Sequence, residues 1–81
     1  MLIKRSITLK KHRTSLSLEK EFWDSLDLIA KNKNCSLQKL ISDIDVKRKS
    51  SLASSTRVFV IENLKKFNLY FQFARVQTHV F

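Results

Sequence analysis

The sequence predicts a small, mainly α-helical domain with one short β-strand. Residues 12–19, HRTSLSLE, alternate polar and apolar side chains with the period of a half-buried strand. Two later segments instead repeat their apolar residues at three- and four-residue steps, the signature of amphipathic helices. At 81 residues the chain has room for one domain with a modest core, which favours support from a second subunit.

In the strand, Thr14, Leu16 and Leu18 share one face, and Arg13, Ser15 and Ser17 share the other. Its backbone needs a partner, because an unpaired ladder leaves donors and acceptors unsatisfied. Residues 1–11 read as a basic arm whose conformation the sequence does not fix, carrying Lys4, Arg5, Lys10 and Lys11 and no acid. Phe22, Trp23, Leu26, Ile29 and Ala30 then mark a first helix over about residues 19–32. Its early acids and late lysines suit the helix dipole.

The chain contains neither Gly nor Pro, so its turns must be read from Ser, Asn and Lys clusters. Asn34 is the best residue available for a left-handed backbone position after the first helix. Ser36 reads as the N-cap of a second helix, whose stripe is Leu37, Leu40, Ile41 and Ile44. KRKSS at 47–51 is a polar break, and 51–67 is assigned as a third helix. The aromatic tail 68–81 fits either a helical stripe through Tyr70, Phe71 and Ala74 or the alternation of Phe71 and Phe73. No internal repeat or flexible linker is evident.

The formal charge is +9, with +5 on residues 1–17, −2 on 18–46 and +6 on 47–81. Such flanks point to an anionic partner, nucleic acid or a lipid surface. The single cysteine, Cys35, excludes an intramolecular disulfide, and with two distant histidines it makes no zinc spacing. No metal or cofactor is expected. There is no Gly-rich phosphate loop and no grouping of Ser, His and acid that suggests an enzyme. No run of about 18 apolar residues is present, so no membrane span is expected, and a cytoplasmic location fits the cysteine usage.

The segments KRSITL, HRTSLSLE, FW, SLQKLISDID and TRVFV together resemble the successive motifs of a bacterial ribbon-helix-helix family whose members carry a further helical segment. The resemblance covers about residues 4–62, with 12–50 as the ribbon-helix-helix core. It implies a homodimer in which the strand pairs with its copy from a second subunit. That intersubunit antiparallel ribbon would enter the major groove of double-stranded DNA, as a transcriptional regulator or autorepressor does. Arg13, Ser15 and Ser17 then read bases, and Lys4, Arg5, Lys10 and Lys11 hold phosphates together with the backbone amides at Ser36. Leu16, Leu18, Phe22, Trp23, Leu26, Leu37, Leu40, Ile41 and Ile44 form the core and dimer packing.

Two positions depart from the family pattern. Asn34 stands where a Gly is usual between the helices, which is chemically tolerable. Lys11 stands where the pattern tends to have Gly before HRTS, which weakens the case for a tight turn between SITL and SLSL. Two other functions are carried alongside. In one, residues 52–81 bind and neutralise a protein partner, as in an antitoxin. In the other, charge alone drives non-specific binding to nucleic acid or a membrane surface.

Overall fold

Strand β1 (Leu2–Leu9) and strand β2 (His12–Glu19) form an antiparallel hairpin, in register from Leu2 opposite Glu19 to Leu9 opposite His12. The structure is a computed structural model that describes the backbone of residues 1–79 and the side chains of residues 1–66. Helices α1 (Lys20–Asn32), α2 (Leu37–Lys47) and α3 (Leu52–His79) follow in order. An antiparallel two-stranded ribbon followed by three helices is the expected architecture. The source of the second strand is different.

The sequence reading assigned one strand and looked for its partner in a second subunit. The partner lies in the same chain, in residues first read as a basic arm. Ile3, Ile7 and Leu9 alternate with Lys4, Ser6 and Thr8, so β1 has the same two-faced pattern as β2. Arg5 obscures the pattern by occupying an inward position. Lys10 and Lys11 complete the hairpin with φ values of 51° and 67°, and two positive φ angles in a two-residue loop make a type I′ turn. Its twist matches that of the strands, although crowding at a non-Gly Cβ costs about 1 kcal/mol or more per residue.

β2 runs directly into α1, where Glu21 lies in the first turn and Lys20 donates to Asp24 at 2.6 Å. The helix ends in a Schellman motif. The N–H of Cys35 donates to Ala30 O at 3.0 Å, that of Asn34 to Lys31 O at 3.1 Å, and Asn34 has φ 57°. Ser36 caps α2 as expected, its Oγ accepting from Lys39 N at 3.0 Å. Ser51 serves α3 in the same way, accepting from Ser54 N at 3.1 Å. The third helix continues through the tail to His79. The side chains of the aromatic tail, and residues 80–81, lie outside the described residues.

The core forms where the inward face of the ribbon meets all three helices. Ile7, Leu16 and Leu18 from the strands, Trp23, Leu26, Ile29 and Ala30 from α1, Leu40 and Ile41 from α2 and Val60 from α3 make one buried cluster. Phe22 and Leu37 pack at its margin, and Ile44 is buried on α2. Each fully buried side chain of this kind stabilises the fold by about 1.5–3 kcal/mol. Of the expected core positions, Leu16, Leu18, Trp23, Leu26, Leu40, Ile41 and Ile44 are buried within this chain, and Phe22 and Leu37 are partly buried. α3 supplies one wall of the core through Val60 and Thr56.

Candidate nucleic-acid interface

Opposed residues of an antiparallel pair project to the same face of a ribbon. The register therefore sorts the hairpin into an inner face, with Ile3, Arg5, Ile7, Leu16 and Leu18, and an outer face. On the outer face Lys4 stands opposite Ser17, Ser6 opposite Ser15, and Thr8 opposite Arg13. These six side chains are exposed, except Ser17, which is half-buried. The arrangement is two parallel rows of hydroxyls with one long cation at a corner of each row.

Glu19 is the only acid in the two strands. It sits at the foot of the face, where Arg57 of α3 forks onto it, with Nε to Oε1 at 3.0 Å and Nη2 to Oε2 at 3.3 Å. That hydrogen-bonded guanidinium holds the Glu19 carboxyl below its ordinary pKa. The outer face is thus left with uncompensated positive charge from Lys4 and Arg13, and Lys10 and Lys11 add to it at the tip.

The structure brings together most of the residues singled out from sequence. Arg13, Ser15 and Ser17 form one row, as β2 alternation requires, and Lys4 lies beside that row on β1. Ser36 stands at the amino end of α2, and one residue pair ties that end to the ribbon: Gln38 Oε1 accepts from the Thr8 N–H at 3.2 Å. The first-turn amides of α2 therefore flank β1 near the tip, and helix amino ends favour anions.

Arg5 stands apart from the others. It points inward, its guanidinium 4.5 Å from the centre of the Trp23 ring and 3.3 and 3.4 Å from the two Asp27 carboxylate oxygens. Ser6 and Thr8 were missed by the sequence reading. The signal existed in the alternation of LIKRSITL, but an arginine in an apolar register position and a turn without Gly concealed it.

A second concavity, of about 660 Å³, opens between α2 and α3. Leu40, Ile44, Val58 and Phe59 line its floor, and Lys33 and Lys47 stand on its rim. Cys35 also lies there, half-buried. Among the described residues, no three His, Cys, Asp or Glu side chains are grouped to hold a metal ion, and no helix is long and apolar enough to cross a membrane.

A family model described as a ribbon-helix-helix domain matches residues 2–64, from the first strand into the third helix. Comparison with curated proteins and with solved structures gives no match.

Proposed function

Because the chain belongs to the ribbon-helix-helix domain family, we propose that it is a sequence-specific DNA-binding protein that lays its hairpin in the major groove, acting as a bacterial transcriptional regulator or autorepressor. The observation that carries this reading is the outer face of the ribbon, which is polar from Lys4 to Thr8 on one strand and from Arg13 to Ser17 on the other, with its one acid, Glu19, occupied by Arg57. The major groove, about 12 Å wide, admits a two-stranded ribbon. Arg13 is the strongest reader, since a guanidinium donates bidentately to guanine O6 and N7. Ser15 and Ser17 add hydroxyls of lower selectivity. Lys10, Lys11 and the α2 amides at Ser36 hold phosphates. Arg5 has its donors committed to Asp27 and is reassigned to packing.

Members of the family generally bind DNA and dimerise. A homodimer would bring the hairpins of two chains to one operator. Such an assembly, working in the cytoplasm, fits the charge and size of the chain.

The test is titration of wild type, Arg13→Ala and Lys10→Ala against a selected and a scrambled duplex at several salt concentrations. Arg13→Ala should cost about 1–3 kcal/mol on the selected duplex alone. Lys10→Ala should weaken both duplexes alike and flatten the slope of log affinity against log salt by about one unit. Equal loss on both duplexes for Arg13→Ala would remove it as a reader. Equal wild-type affinity for both would favour charge-driven binding.

The groove between α2 and α3 favours a second reading, in which that face binds a protein partner in the manner of an antitoxin. Val58, half exposed in the groove, separates the two. Val58→Asp should leave duplex binding unchanged on the first reading and abolish a stable heterocomplex on the second.

A further inference from the structure

The polar ties between the hairpin and the helices are unevenly placed. The foot of the ribbon, from the pair Leu2 and Glu19 to the pair Arg5 and Leu16, is held by Trp23 on Ile3 O, by Asp27 on Arg5 and by Arg57 on Glu19. The half nearer the tip has one such tie among the described residues: Gln38 Oε1 accepts from the Thr8 N–H. That half also carries Arg13, which stands directly opposite Thr8.

The direction of the Thr8 N–H follows from the ladder. A two-residue loop makes Leu9 and His12 a hydrogen-bonded pair, and bonded and non-bonded pairs alternate along an antiparallel ladder, so Thr8 and Arg13 are a non-bonded pair. The Thr8 N–H therefore points away from β2, off the outer edge of β1. Gln38 meets it there. A backbone N–H can only donate, which fixes the side-chain oxygen of Gln38 as the partner. Gln38 lies two residues past the Ser36 cap, so the bond joins the amino end of α2 to the strand position across from Arg13. Beyond it, the turn holds Lys10 and Lys11 at positive φ, a conformation that a Cβ disfavours, and the tip gains from an outside anchor.

We infer that Gln38 is a positioning residue for base reading. It holds the tip half of the hairpin at a fixed distance from the amino end of α2, so that Arg13 meets its base while the α2 amides meet a phosphate. This rests on the DNA-binding reading above. Gln38 itself need not touch DNA. Its effect passes through Thr8 to Arg13, and so falls on sequence discrimination, which needs both contacts at once, rather than on general attraction, which either contact supplies.

Two variants, titrated against a duplex selected by wild type and a scrambled one, test this: Gln38→Leu, similar in size but unable to accept, and Gln38→Glu, which keeps an acceptor oxygen. Gln38 is exposed, so both keep the fold. Gln38→Leu should lose about tenfold in affinity for the selected duplex, within what one bidentate base contact supplies, and hold its affinity for the scrambled one. Gln38→Glu should weaken both alike through its added negative charge, and so keep the wild-type ratio. Arg13→Ala should cost less in the Gln38→Leu background than in wild type, the sign of two residues acting as a unit. In the free protein the Thr8 amide should exchange with solvent faster in Gln38→Leu than in wild type or Gln38→Glu. An unchanged ratio in Gln38→Leu, a ratio lost equally in Gln38→Glu, or a full Arg13→Ala penalty in the Gln38→Leu background overturns the positioning role while leaving the DNA-binding reading in place. A wild type that does not discriminate between duplexes overturns both.

Discussion

The guanidinium of Arg5 lies 4.5 Å from the centre of the Trp23 ring, on the side of the ribbon away from the other strand cations. Trp23 is also tied to β1 through its Nε1–H, which donates to Ile3 O at 2.8 Å. Arg5 and Trp23 thus clamp the first strand onto α1. Arg5→Ala should lower stability by about 1 kcal/mol, the scale of a partly exposed cation–π contact. Urea unfolding read by Trp23 fluorescence measures the loss. The salt slope of duplex binding by the folded variant should stay at the wild-type value.

The turn offers the opposite experiment. Lys10 and Lys11 hold positive φ without the freedom of glycine. Lys11→Gly should stabilise the fold by about 1 kcal/mol by relieving Cβ crowding at the second turn position. It should also reduce duplex affinity by the share of one phosphate contact. A rise in melting temperature with a flatter salt slope is the expected pair of results.

Thr56 is fully buried on α3, and its hydroxyl has no hydrogen-bond partner among the described residues. A hydroxyl desolvated without compensation destabilises a core. Thr56→Val should therefore raise stability by about 1 kcal/mol, seen as a higher urea midpoint at unchanged slope.

Glu19 makes one contribution of the fold sensitive to acid. Its carboxyl is held below the ordinary value chiefly by the hydrogen bond from Arg57, so the native state favours the ionised form more than the unfolded chain does. The contribution is fully present above the unfolded pKa and is lost as pH falls through the lowered folded value. Stability should decline across that acid window. Glu19→Gln should weaken the decline, with thermal melts as a function of pH as the measurement.

The helical half of the fold was legible because each signal was local and chemically strong. Asn34 took the left-handed position and Ser36 the cap, as expected of the best residues present. The stripe of Leu37, Leu40, Ile41 and Ile44 faced inward. β1 was not legible, since Arg5 occupies an inward slot that becomes acceptable only once Trp23 and Asp27 are in place. Two lysines likewise disguise a turn that pattern reading associates with Asn and Gly. For the candidate site, Arg13, Ser15 and Ser17 needed only alternation. Ser6 and Thr8 needed the register, which is a property of two strands together.

The closure of the ladder between Leu2–Leu9 and His12–Glu19 changes what dilution does to the protein. A ribbon shared by two subunits dissolves as concentration falls below the dissociation constant of the pair. A ribbon joined by a two-residue loop has its partner at an effective concentration set by the loop, whatever the number of molecules in solution. The pairing of β1 with β2 is therefore the same at any dilution.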